Sequence, residues 1–145
     1  MEELQKAAKI GFASEFSFYL KAHNFHWNVR GPLFEQYHAL FETIYSEVYG
    51  AIDDFAENIR KLGANTPAGL SRFSMLSQIE DEDNVIPAEQ MVEELLQDNE
   101  KMINVLKLIY QQSEKENEYG FSNFLAERID AHRKHGWMLK ASLGQ

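Results

Sequence analysis

The chain has no cysteine, which removes disulfides and thiolate metal sites together; any bound metal must rest on oxygen and imidazole ligands. Three prolines and eight glycines are all the helix breakers it carries. Most are grouped at Gly31-Pro32, Gly63, Pro67, Gly69, Pro87 and Gly120, with long uninterrupted stretches between them. No apolar run approaches the ~18 residues of a membrane span, and the opening MEELQKAAKI lacks the basic and apolar regions of a signal peptide. A cytoplasmic protein without membrane contact is expected. Positive charge is also scarce: 14 Lys and Arg against 23 Asp and Glu give a formal net charge of -9, which favours cations over nucleic acid or anionic lipid. A glycine-rich phosphate loop, a nucleophile elbow and a basic stripe are all missing, so nucleophilic and phosphate chemistry find no support.

What is present is a packed core. With 145 residues, 44% hydrophobic and 12% aromatic, residues 1–145 are expected to form one domain. Helical periodicity predicts a first helix from about Glu3 to Val29, with one seam of Leu4, Ala8, Gly11, Phe18, Ala22, Phe25 and Val29. A neighbouring seam holds Phe12, Phe16, Tyr19, His23 and His26. The second helix is expected to run unbroken from Phe34 to Leu62 along Tyr37, Phe41, Ile44, Val48, Ile52, Phe55, Ile59 and Leu62. The connection from Gly63 to Ile86 is too long for a turn, and Leu70, Phe73, Met75, Leu76 and Ile79 predict a short helix packed across the bundle. Pro87 suits the first turn of a third helix, and the fourth runs from Phe121 to Leu143 with Ser122 as a candidate N-cap. Four long helices with one long crossover make an all-α, ferritin-like four-helix bundle.

The second helix also carries His38, Glu42, Asp53 and Glu57, and this quartet is palindromic: both outer and inner pairs centre between Glu47 and Val48. At about 100° per residue the four fall in a stripe roughly 100° wide, while Glu42 and Asp53 stand about 16 Å apart along the axis. One ion cannot reach both halves. A second, antiparallel copy of the helix would set His38 and Glu42 against Asp53 and Glu57 of its mate, giving two equivalent His/carboxylate sites. His26, at the end of the first helix, would lie beside His38 if the two helices pack antiparallel. Imidazole plus carboxylate suits ferrous iron, manganese or zinc.

Other polar groups carry less. A lone helix-surface carboxylate is ordinarily solvent-facing, and the acidic run Glu80 to Asp83 reads as solvated. Glu35 and His38 form a Glu-x-x-His pair, but an intrachain di-iron bundle needs two, and none occurs on the later helices. His23/His26 and His132/His135 have i,i+3 spacing that could hold a metal. For His132, however, a hydrogen-bonded structural role is the stronger reading, and His135 beside Lys134 and Trp137 suggests an interface. Trp27, next to His26, could absorb an oxidising equivalent formed at a nearby metal.

HWNVRGP, Phe34 and the quartet in HALFETIYSEVYGAIDDFAENIRKLG, together with the C-terminal AERIDAHRKHGWMLKASLG, resemble the signature of the Dps family of mini-ferritins over nearly the whole chain. The resemblance implies a hollow homo-dodecamer with ferroxidase centres at two-fold interfaces. His26 and His38 of one subunit would face Asp53 and Glu57 of another, with Glu42 on the histidine side. Many members have Asp at that position, which leaves open whether Glu42 binds metal or supports a ligand. The implied activity is oxidation of ferrous iron by hydrogen peroxide or dioxygen, followed by storage of ferric mineral, with zinc or manganese as possible substitutes. The alternative is a non-catalytic protective or DNA-associated assembly that binds zinc or no metal. Relatives admit iron through acidic three-fold pores; here Glu114, Glu116 and Glu118 supply charge, but Tyr119 and Asn123 stand where many have Asp. Direct DNA binding in the family often uses a basic tail, whereas Glu2 and Glu3 here offset Lys6 and Lys9, and only Lys140 lies near the other end. The pure protein is therefore expected to give no gel shift with duplex DNA at physiological salt, and a salt-resistant shift would overturn this.

Overall fold

The computed structural model describes residues 1–145 and is all-helical. Its elements are α1 (Glu2–Asn28), α2 (Phe34–Gly50), α3 (Ile52–Lys61), α4 (Leu70–Leu76), α5 (Ala88–Lys115) and α6 (Tyr119–Ser142). Helices α1 and α2 form one antiparallel hairpin and α5 and α6 another, and the crossover carrying α4 joins them. The predicted second helix is divided. At Ala51 the backbone sits at φ -94 and ψ -6, and its N–H turns back to Val48 O, so the helix bends between Gly50 and Ile52. Gly50, with no side chain to favour the helix, adjoins the bend.

The predicted seams form the core. Leu4, Ala8, Phe18, Ala22, Phe25 and Val29 of the first helix pack with Phe41, Ile44, Val48, Phe55 and Ile59 against Leu95, Met102, Leu106, Leu125 and Leu139. Gly11 allows α1 to lie close to α5, because a Cβ there would overlap the end of Ile109. The helix ends follow backbone chemistry. Gly63 (φ 88) and Asn117 (φ 58) take the left-handed conformation after α3 and α5, and paired bonds such as Asn117 N–H to Glu114 O and Glu118 N–H to Ser113 O satisfy the last carbonyls.

Three local expectations change. Pro87 is the N-cap of α5 rather than a first-turn residue, and Glu118 caps α6. Ser122 lies inside that helix, where its hydroxyl donates to Ser113 Oγ. In α4, Phe73 packs edge-on to Phe12 and against Phe16, but Leu70 and Met75 are each 76% exposed, because a seven-residue helix offers only one narrow face to α1. The crossover is held by buried Lys21, whose Nζ meets Asp98 Oδ2 at 2.7 Å and donates to Glu80 O at 2.9 Å.

A charged network crosses mid-bundle from buried Glu15 and Arg128 to the more exposed Glu47. Arg128 of α6 grips Glu47 of α2 through both terminal nitrogens, at 2.5 and 3.1 Å, and stands 3.6 Å from Glu15 of α1. His132 faces an acceptor on each ring nitrogen, Asn99 Oδ1 at 2.7 Å and Glu15 Oε1 at 2.5 Å, so the structural role read for it holds. His135 is buried within its own chain, with Nε2 donating to Glu47 Oε1 at 2.8 Å, because its i,i+3 spacing puts it on the same inner face as His132; the suggested interface role is corrected.

Burial pushes the Glu47 carboxyl up, but hydrogen bonds from His135 and Arg128 outweigh this and hold it at about 2. Its stabilisation is therefore complete above its ordinary value of 4.5 and is lost as pH falls through about 2. Burial holds His135 below its ordinary 6.5, so the unfolded chain takes up that proton first and stability begins to fall as pH drops below 6.5. Glu47→Gln should flatten the acid limb of stability against pH in urea unfolding. Arg128→Ala, which leaves the fully buried Glu15 with His132 as its one partner and takes Glu47's guanidinium away, should cost about 3–5 kcal/mol at pH 7.

Candidate metal centre

The short link after α1 turns at Gly31 (φ 127) and lays the last turn of α1 beside the first turns of α2. His26 Nδ1 donates to His38 O at 2.8 Å, and His38 Nδ1 donates to His26 O at 2.7 Å. A carbonyl oxygen only accepts, so each Nδ1 carries the proton and each Nε2 is left with a free lone pair. The two rings stack with centroids 3.7 Å apart and planes 15° apart; Phe34 stacks on His38, and Tyr45 meets His26 edge-on at 5.0 Å. Both imidazoles are thus fixed in tautomer and orientation by their neighbours. Glu42 Oε1 lies 4.0 Å from His26 Nε2, with its side chain 60% exposed. His26 thus neighbours both His38 and Glu42, but the ligand atoms of the three do not all lie within 4.8 Å of one another.

Asp53 and Glu57 form a second group beyond the bend, one helical turn apart at the start of α3. Asp54, not singled out in the sequence, joins them: one ligand oxygen from each of the three lies within 4.8 Å of the others, and all three residues are exposed. The only sequence signal for Asp54 is its place beside Asp53. A hydrogen bond that the protonated Glu57 carboxyl donates to Asp53, together with the charge of that residue, holds Glu57 above its ordinary value, and Asp54 adds to the rise. A cation would relieve this crowding of like charges.

The remaining candidates are placed differently. The His23 ring does not share a ligand position with His26. It is stacked between Trp27 at 3.8 Å and Tyr45 at 3.9 Å, and its Nδ1 is hydrogen-bonded to Tyr19 OH at 2.9 Å, because i,i+4 spacing puts Tyr19, His23 and Trp27 on one face of α1. Trp27 is 59% exposed and reaches the histidine pair through His23 and Tyr45. Among the pore candidates, Glu116 pairs with the chain's own amino terminus at 2.8 Å, and Asn123 Nδ2 donates to Glu127 at 3.4 Å. Glu118 lines an open cleft of about 420 Å³ with Asp54, Glu57 and Glu127, which sets part of the expected entry charge beside the carboxylate group.

This architecture has close counterparts. A ferritin-like domain model matches residues 8–145. DNA protection during starvation protein 2 of Bacillus anthracis is 35% identical over 127 residues, which are 88% of this chain and 87% of that protein. The chain belongs to the Dps family of ferritin-like proteins. The Dps structure from Thermosynechococcus elongatus superposes with a TM-score of 0.95 at 26% identity, covering 99% of this chain and 92% of that one. The Vibrio cholerae O1 Dps, described as a member of a broad superfamily of ferritin-like diiron-carboxylate proteins, superposes with a TM-score of 0.93 at 27% identity, covering 98% and 89%. No helix of this Dps-family chain is long and apolar enough to cross a membrane.

The crowding of carboxylates has a direct readout. In Asp53→Asn the Glu57 carboxyl should titrate at lower pH than in the unaltered chain, followed by carbon-13 NMR of the labelled side chain without metal; an unchanged titration would show that Asp53 does not set it.

Proposed function

We propose that this Dps-family protein oxidises ferrous iron at sites shared between two chains and stores the ferric product as mineral, protecting its cell from oxidative damage. The observation that carries the reading is the pair of free Nε2 lone pairs on His26 and His38, fixed by reciprocal bonds to each other's backbone. Tautomers set this way leave the Nε2 of each ring oriented and available to a metal. Metal bonds to imidazole and carboxylate are about 2 Å long, whereas the Asp53/Glu57 group lies about 16 Å along the same helix path. A two-fold related chain supplies the missing half: His26, His38 and Glu42 of one would face Asp53 and Glu57 of the other.

Ferrous iron is the substrate in this reading, with zinc or manganese as competitors of similar ligand preference. Carboxylates stabilise the ferric product and imidazoles fix its geometry. Two ferrous ions supply the two electrons, and solvent the two protons, that reduce hydrogen peroxide to two waters, which removes both reagents of hydroxyl-radical formation; dioxygen is the other candidate oxidant. Trp27, joined to the site through His23 and Tyr45, would absorb an oxidising equivalent that iron does not quench. Two-fold dimers building a cytoplasmic dodecamer would enclose the mineral.

Complementation tests the shared site. A chain with Asp53→Ala and Glu57→Ala, and a separate chain with His26→Ala and His38→Ala, should each lose peroxide-dependent ferrous oxidation followed near 300 nm. Unfolded together and reassembled in equal amounts, they should recover about a quarter of the wild-type rate, since half of the dimers are mixed and each mixed dimer contains one intact site of two. No recovery from correctly assembled mixtures would place the site within one chain, and undiminished oxidation by either variant alone would remove the ferroxidase reading.

A further inference from the structure

The aromatic residues beside the histidine pair form a connected run that leads away from it along α1 and α2. The Tyr45 ring meets His26 edge-on at 5.0 Å and stands 6.3 Å from Tyr19, which in turn contacts Tyr49 at 4.9 Å. Tyr19 OH is hydrogen-bonded to His23 Nδ1 at 2.9 Å; with that nitrogen as acceptor, the imidazole takes the phenolic proton when the ring loses an electron. The cluster has two exposed ends, Trp27 and Tyr49, each 59% exposed. Trp27 is stacked on His23, and Tyr49 ends the run on α2. At about 100° per residue, Tyr49 falls between His38 and Glu42 in angle, on the face that bears the histidine half of the metal centre. It is the tyrosine nearest the centre of the palindrome, and Ser46, which mirrors it there, is small. Two antiparallel copies of α2 therefore set their Tyr49 residues about 4.5 Å apart along the axis, on helices about 8–10 Å apart, and the two phenol rings come within contact.

Resting on the shared-site reading above, we propose that Tyr49 is a covalent cross-link site: when peroxide is in excess over iron, the Tyr49 phenols of two chains couple as dityrosine across the two-fold axis. With two ferrous ions at a site, peroxide takes both of its electrons from iron. With one, iron supplies a single electron and Tyr49 supplies the other through Tyr19 and Tyr45. The phenol and solvent each give one proton, and the peroxide becomes two waters. One ferric ion and one tyrosyl radical remain. A two-fold pair of chains contains two such sites, so the two radicals arise on the two facing rings. They couple through one carbon–carbon bond between ring positions next to the phenol oxygens, and the two displaced ring hydrogens move to those oxygens, which restores both phenols. Three features carry the assignment: the continuous ring contacts from His26 to Tyr49, the imidazole that takes the Tyr19 proton, and the place of Tyr49 beside the palindrome centre. The native consequence is a two-fold pair locked covalently once iron no longer quenches the oxidant.

The test adds ferrous iron and hydrogen peroxide to the assembled full chain and reads the cross-link itself, by denaturing gel electrophoresis, dityrosine fluorescence and peptide mass spectrometry, beside the rate of ferrous oxidation. One ferrous ion per site should give a covalent dimer joined Tyr49 to Tyr49, and two per site should suppress most of it. Tyr49→Phe should abolish the dimer. Tyr19→Phe, which keeps the ring but removes the oxidisable phenol, should remove most of it; both variants should oxidise ferrous iron as the wild type does. Photogenerated tris(bipyridine)ruthenium(III), acting on the metal-free chain, should form the same link, since the pairing of the rings needs no iron. The proposal is overturned if ferrous iron is oxidised without a Tyr49-to-Tyr49 link, if Tyr19→Phe or a second ferrous ion leaves the yield undiminished, if ruthenium does not join the two rings, or if another tyrosine such as Tyr119 carries the cross-link. Failure of the ferroxidase reading looks different: the wild type then oxidises no ferrous iron at either ratio, which removes the iron-driven step as well, while ruthenium still joins Tyr49 to Tyr49.

Discussion

Arg128 joins three of the four long helices at one level of the bundle. Its guanidinium reaches Glu47 on α2 and stands beside Glu15 on α1, while His132 and His135, one and two turns further along α6, bind the same two carboxylates. Burying the Glu15 carboxylate is costly unless it is paired and hydrogen-bonded, so the arrangement tolerates little sliding of one helix past another. Apolar seams hold the helices together but are degenerate in register. The charged layer fixes which turn of α6 meets which turn of α1 and α2. Glu47 also adjoins the centre of the palindromic stripe, which falls between it and Val48.

From that fixed register the site follows. With α2 held against α1, the reciprocal bonds between His26 and His38 close at the open end of the hairpin, where each imidazole uses the other's carbonyl. The two halves of the centre solve different electrostatic problems. The histidine pair is stacked, with each ring held by the other's backbone carbonyl. The carboxylate half is exposed and self-repelling, and a cation relieves it. The two groups differ in charge and ligand type.

The long helices, the crossover with its short helix and the core seams could be read from periodicity and from the placing of glycine and proline, because amphipathic spacing and helix stops are local. The quartet could be read for the same reason: helix geometry converts numbering into angle and rise. Where several elements compete, the reading failed. The bend at Ala51 interrupts a sequence that is helical by pattern throughout, and Ser122 was free to cap a helix until Glu118 and the left-handed Asn117 started that helix earlier. His135 looked interfacial from its neighbours Lys134 and Trp137, but its own side chain points inward to Glu47. Leu70 and Met75 are apolar and exposed, which periodicity over seven residues cannot anticipate.

By itself, the sequence determined the helical class, the absence of sulfur ligands and the palindrome of histidine and carboxylates, since each depends only on composition or on spacing along one helix. Only the tertiary structure decided which nitrogen of His26 and His38 is free, that Asp54 joins Asp53 and Glu57, and that Arg128 reaches Glu47 beside Glu15. Those facts depend on the approach of residues far apart in the chain, and on the few ångströms over which hydrogen bonds and charge pairs act.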